Sequence, residues 1–355
     1  MSEITIVRDA EALEQWGPAW DALEVRARAA GREDQLFASH RYVSTAWEHL
    51  RQPGDRLFVV LLGEAERLSA AWPLALREER HGGLTLQVLR PIGIWEGERP
   101  APLSEADADS VWPQLWQALQ QHRRDWHVLD LRELDDGAWP LRHLPQAGLW
   151  WRVTVQPDHT APWQPFSGPW ADHAARHGAR PSVPGAAKLV LDDPSGIVEG
   201  LSRCLAIEAT QAGVEGLYRL ADDEQRVAFY RAFLPKLAAR GEAEVWLLQV
   251  GGEDVAGLVR WRCGGVWIER HLTEAAGWGG GTSPGGALLV DALARSWGSG
   301  AQASAYVLVP DALGPGQRVR SWFEQSRPTQ RLSVWNLRSR VLPLALLQKV
   351  RGKRT

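Results

Sequence analysis

Three apolar runs between residues 243 and 273 leave the chain little choice of topology. AEVWLLQV (243–250) meets DVAGLVRWRC (254–263) through a Gly-Gly-Glu-Asp turn, and a second Gly-Gly turn leads to VWIERHLT (266–273). Joints this short close antiparallel hairpins, whereas a parallel crossover needs a dozen residues or more. The runs therefore predict a three-stranded meander. Immediately after it, WGGGTSPGGALLV (278–290) feeds glycines into an apolar helix at 284–297, with Ser283 as a natural N-cap and Pro284 at the first helical position.

A bare backbone at the mouth of a helix has two explanations. One is a flexible turn before a capped helix. The other is an anion cradle, because the first N–H groups of a helix lack intrahelical partners and carry the positive end of its dipole. The lysine of a P-loop is missing, and no G-x-G-x-x-G links a strand to a helix here, so a nucleoside triphosphatase or dinucleotide fold is not expected.

Upstream, a strand at 187–191 and helices at 195–206 and about 222–239 precede the meander. Downstream, strands at 304–310 and 330–336 flank a helix expected at about 316–326. The first 150 residues follow a similar plan. A strand at 3–8, helices at 10–30 and 39–50, strands at 57–62, 67–77 and 84–90, a helix at 108–122 and a strand at 126–134 alternate around one sheet. This layout suggests a duplicated fold. Residues 156–187, rich in Pro, Gly, His and Ala, read as a crossover linker. The expected division is 1–155, a linker at 156–187, a second domain at 188–340 and a basic tail at 341–355.

Composition narrows the partners. A net charge of −3 over 355 residues gives no general pull toward nucleic acid, so no DNA partner is expected. Two cysteines, Cys204 and Cys263, fit a reducing compartment. With no signal-like segment and no long apolar span, a cytoplasmic location is expected. His40, His173 and His177 read as isolated loop histidines, and without an H-x-x-H or C-x-x-C set no metal is expected. G-x-S-x-G is absent, which argues against a serine hydrolase. The tail RSRVLPLALLQKVRGKRT (338–355) is basic and apolar; it suits weak contact with an anionic membrane or a helix packed on its own domain.

At the level of motifs, the chain resembles the CelD/BioF2-like acetyltransferase family of bacterial cellulose and exopolysaccharide biosynthesis, within the GNAT superfamily. The likeness lies in 227–259, in Ser283-Pro284-Gly285 with the apolar residues after it, and in ALGPGQRVRSWF (312–323). In the first half it lies in LFASHRYVSTAWEHL (36–50), AAWPLAL (70–76), LRPIG (89–93) and WHVLDLREL (126–134). The resemblance implies an α/β (α+β) fold of two tandem GNAT-like domains, each a mixed, mostly antiparallel sheet flanked by helices, as in Fem-type transferases. It implies acetyl-CoA or another acyl-CoA as co-substrate. The acceptor would be an amine or hydroxyl, such as an amino sugar or another polysaccharide precursor. GNAT domains hold the CoA diphosphate on Q/R-x-x-G-x-G/A, which Thr282, Ser283, Pro284, Gly285, Gly286 and Ala287 match except at the first position. The first half has no equivalent glycine loop.

Acyl transfer to an amine needs a base. Strict alternation along 266–273 would place Trp267, Glu269 and His271 on one face, making Glu269 and His271 candidate catalytic residues. The competing reading pairs Glu269 with Arg260 or Arg262 across the hairpin. The resemblance adds Glu208, which many relatives follow with Trp-Lys and a glycine. Here Glu208 and Gly213 remain while Thr210-Gln211 replaces Trp-Lys. A Tyr-Asp before the loop and a Tyr-Lys near the end are also replaced. These substitutions leave room for a non-catalytic GNAT-like binding or scaffold protein. A Fem-like aminoacyl-tRNA transferase is a third reading, disfavoured by the near-neutral charge.

Overall fold

The computed structural model describes residues 3–32, 35–81, 83–93, 101–146, 150–177, 182–211, 219–278, 283–298, 305–308 and 320–337. In chain order the first half supplies β1 (Ile4–Val7), α1 (Ala10–Gln15), α2 (Gly17–Ala29), α3 (His40–Leu50), β2 (Arg56–Glu64), β3 (Arg67–His81) and β4 (Leu84–Pro91). These are followed by β5 (Leu103–Ser104), α4 (Ala108–Gln121), β6 (Val128–Asp135), α5 (Trp139–His143) and β7 (Trp151–Pro165). The second half adds α6 (Trp170–His177), β8 (Ala186–Leu191), α7 (Pro194–Ala209), α8 (Glu224–Ala238), β9 (Ala243–Val250) and β10 (Glu253–Cys263). It ends with β11 (Val266–Glu274), α9 (Pro284–Trp297), β12 (Ala305–Leu308) and β13 (Gln325–Asn336). No described helix is long and apolar enough to cross a membrane.

The chain forms two units, residues 1–159 with 328–355, and residues 160–327. In the first, β1 to β4 run as an antiparallel meander, β6 joins β4 in parallel, and β13 pairs antiparallel with β6, Leu332 opposite Leu131. In the second, β8 to β11 form the meander, β12 joins β11 in parallel, and the end of β7 pairs antiparallel with β12. Each unit thus repeats the same order, meander, parallel strand, antiparallel closing strand. The closing strands are exchanged in sequence: β7 precedes the unit it closes, and β13 returns to the first unit.

These assignments change the division expected from sequence. Residues 156–187 are not a linker, since they hold the end of β7 and all of α6; the Pro and Gly content masked a strand and a short amphipathic helix. Helix 316–326 is not found over its described part, because Gln325 opens β13 after a short turn at 320–322. The helix expected at 10–30 is two helices meeting at Trp16, just before Pro18. The tail at 341–355 lies outside the described residues.

The core of the first unit packs α4 on the sheet through Trp112, Leu115, Trp116 and Leu119 against Phe58, Trp72 and Leu129. In the second unit α9 covers one sheet face, with Leu288, Leu289 and Leu293 against Leu258 and Leu272. Helix α7 lies on the other face, and glycines bring it close: a Cβ on Gly200 would sit 2.8 Å from Val245, and one on Gly257 2.4 Å from Cys204 Sγ. Burial pushes the Cys204 thiol well above its ordinary range, so it packs as an inert apolar group.

Candidate active site in the second unit

Helix α7 begins at Asp193, whose carboxylate accepts the N–H groups of Ser195 and Gly196. Its buried stripe, Ile197, Gly200, Leu201, Cys204 and Ile207, keeps helical spacing and ends on a carboxylate, Glu208. A buried carboxylate is stable only when its oxygens are satisfied. Glu208 Oε1 accepts the Leu220 N–H at 3.1 Å, and Oε2 the Ala221 N–H at 2.9 Å. His271 Nε2 on β11 lies 3.0 Å from Oε1. Burial pushes the Glu208 carboxyl up, but His271 and the two N–H donors outweigh it and hold it below its usual range. Ala221 also lines a groove of about 740 Å³ with Leu205, Glu224 and Ala228. On the same sheet face as His271, the Thr273 hydroxyl is buried without a hydrogen-bond partner among the described residues.

Glu269 does not join this pair. Val259 faces His271 and Arg260 faces Glu269, so the register shifts by one residue and Arg270 is the bulged position. A bulge breaks the alternation on which the sequence argument relied, and reverses the face of everything beyond it. Arg260, opposite Glu269, reaches α9: its guanidinium donates to Ala292 O at 2.9 Å and Ser296 Oγ at 2.6 Å, and pairs with Glu244 at 2.6 Å. Glu269 therefore belongs to the α9 face, while His271 meets α7 on the other.

At the α9 N-terminus the donors already have an anion. Ser283 Oγ donates to Glu274 Oε2 at 2.7 Å, and Gly285 N–H donates to the same oxygen at 3.1 Å. Gly286 N–H donates to Ser283 Oγ at 2.9 Å, as a cap should, and Ala287 N–H to Ser283 O at 2.8 Å. Ser283, Gly285, Gly286 and Ala287 are all buried. With the Glu274 carboxylate in this seat, the first turn does not fit a CoA diphosphate: the donors are taken and the charge repels. Thr282 and Gly279 to Gly281 lie outside the described residues, as does Gly213.

Sequence reasoning missed Glu274. Its signal was its place as the last strand residue before the glycine loop, on the α9 face once the bulge is counted. It also treated His173 and His177 as loop residues. Both lie on α6, where they approach Glu324 at 3.4 and 3.3 Å. His40 opens α3 and packs against Gly17 and Trp20.

Residues 190–309 match the model of the acetyltransferase (GNAT) domain. A search of curated proteins found no match. Among solved structures, FemX aligns with a TM-score of 0.54 at 10% identity, over 84% of this chain and 91% of its own. A conserved protein of unknown function from Bacteroides thetaiotaomicron aligns at 0.50 and 12% identity, over 93% of this chain and 100% of its own. A tandem GNAT protein from the clavulanic acid biosynthesis pathway aligns at 0.48 and 15% identity, over 94% and 98%. Residues 190–309 are thus similar to a GNAT domain, and the likeness to FemX describes the fold alone.

Proposed function

Because the second unit is similar to a GNAT domain, we propose that this protein transfers an acyl group to an amine or hydroxyl, with His271 as the base and Glu208 as its partner. The observation that carries this is the 3.0 Å contact between them, buried in a GNAT-like unit beside a groove. Glu208 stands beside Nε2, so the acceptor's proton goes to Nδ1 as the new acyl bond forms and the donor's acyl–sulfur bond breaks; the carboxylate stabilises the resulting imidazolium, which gives its proton to the departing thiolate. An amino sugar or another envelope polysaccharide precursor is the acceptor class to screen first, on the sequence resemblance. The acyl donor proposed is an acyl-CoA, the usual donor of GNAT domains. No step is routed through its diphosphate, because Glu274 fills the seat at α9.

That same carboxylate favours a second reading, a GNAT-like binding protein without turnover. Acetyl-CoA calorimetry on wild type and Glu274→Gln, with an acyl-transfer screen over amines and hydroxyls, separates the two. The proposal expects the variant to bind about tenfold more tightly, as repulsion is removed, and His271→Ala to abolish transfer. If neither protein binds acetyl-CoA and none transfers an acyl group, the acyltransferase reading is wrong.

A further inference from the structure

Helix α6 places His173 and His177 one turn apart, so both rings leave the same face. His173 is fully buried between Trp297 and Trp170, with ring centroids 4.5 and 5.4 Å away. Among the described residues neither ring nitrogen makes a well-aligned hydrogen bond, Nδ1 having only Glu324 within ion-pair range. An imidazole shut away from water with poorly satisfied nitrogens carries a desolvation cost that calls for an explanation.

Glu324 supplies the third group. Its Oε1 stands 3.4 Å from His173 Nδ1 and 3.3 Å from His177 Nε2. The donor atoms of the three residues all lie within 4.8 Å of one another. Tetrahedral coordination with bonds of about 2.0–2.2 Å gives ligand-to-ligand edges of roughly 3.3–3.6 Å, so two of the three edges already have that length. The set is also held in place before any ion arrives. Gln164 Oε1 accepts the Glu324 N–H at 2.9 Å, and Trp297 Nε1 donates to Gly168 O at 2.8 Å just ahead of α6. Glu324 also lines a cavity of about 390 Å³ with Arg320 and Phe323.

We propose that His173, His177 and Glu324 form a three-ligand site for a zinc-class divalent ion that ties α6 to the segment before β13. Two imidazoles and one carboxylate suit zinc or its transition-metal neighbours, not magnesium or calcium, which take oxygen ligands. Arg176 is the opposing feature, since its Nε and Nη2 bind Glu324 Oε1 at 2.9 and 2.8 Å. All of these contacts are to one oxygen, which has two lone pairs, so an ion at Oε1 must displace at least one Arg176 donor, and the arginine weakens its hold by competition and by charge.

The test is calorimetric titration of zinc chloride into chelator-treated full-length protein, with cobalt(II) absorption as a reporter of four-coordinate geometry. Wild type should bind about one equivalent and show the cobalt band. His177→Ala and Glu324→Gln, both at partly exposed positions, should lose at least about tenfold in affinity, and Arg176→Gln should gain. Circular dichroism and thermal midpoints of the apo proteins check that each variant folds. The proposal is overturned if folded wild type takes up no stoichiometric ion, or if the three variants bind zinc as wild type does. Either result would leave the cluster an ion pair with Arg176.

Discussion

Glu208 Oε1 and His271 Nε2 stand 3.0 Å apart on facing elements of the second unit, with only 2% of the Glu208 side chain exposed. Helix α7 and strand β11 are joined through this contact as well as through apolar packing. Its effect on stability has a definite sign with pH. Glu208 titrates below its ordinary range when folded, so it stabilises the protein above the unfolded carboxyl value of about 4.3 and that share is lost as pH falls through the folded value. Urea midpoints across the acid range should fall for wild type, and Glu208→Gln should flatten part of that slope. An unchanged slope would remove Glu208 from the acid response.

Glu208→Ala is a harsher change. It leaves two buried N–H groups without their acceptor and His271 without its partner, and loss of one partner of a buried pair costs about 3–5 kcal/mol. Glu208→Gln, which keeps one acceptor oxygen, should cost visibly less. Equal losses in chemical denaturation would mean that packing, not the hydrogen bonds, gives the site its strength.

Ser283 is expected to stabilise α9 twice over, by capping Gly286 and by donating to Glu274. Ser283→Ala should lower stability by about 1–2 kcal/mol, the upper part of the range for an N-cap. Ser283→Asp keeps a capping oxygen but sets a second charge against Glu274, so it should be worse than a simple cap exchange. Thermal unfolding of both variants decides this.

Gly257→Ala tests how closely α7 approaches the sheet. The added methyl would lie 2.4 Å from Cys204 Sγ, which demands a shift of the helix and a cost of about 1–3 kcal/mol. Cys204→Ala should relieve that clash, so the double variant should lose less than the two single losses added together. Strict additivity would show that the helix already has room.

Much of this architecture could be read in advance, and the failures have local causes. The meander, the Ser283 cap and the helix at 284–297 follow from short glycine turns and a Ser-Pro start, signals that tertiary contacts do not override. Glu208 sits on a legible helical stripe, yet its donors, Leu220 and Ala221, come from a separate segment that no spacing rule connects. The strand at 151–165 was hidden because Pro157, Pro162 and Pro165 mark loops in most contexts. Strand β13 pairs with β6 almost two hundred residues away, and periodicity carries no information about so distant a partner. Glu274 carries no pattern of its own, because it serves as the anion of the α9 N-terminus only once the strand and the helix are packed together.

The bulge at Arg270 was equally invisible, since one extra residue leaves the pattern of residue types unchanged while turning the side chains beyond it. It makes a sharp prediction. Glu208 and His271 touch, so the stability losses of Glu208→Gln and His271→Gln should couple by about 0.5–3 kcal/mol in a double-mutant cycle. Glu269 leaves the opposite face, beside Arg260, so the cycle between Glu269→Gln and His271→Gln should couple by about 0.5 kcal/mol or less. Were the sheet unbulged, the two would share a face and the second cycle would show coupling like the first. Urea denaturation of the single and double variants measures both cycles, and strong coupling between positions 269 and 271 would place the two side chains together after all.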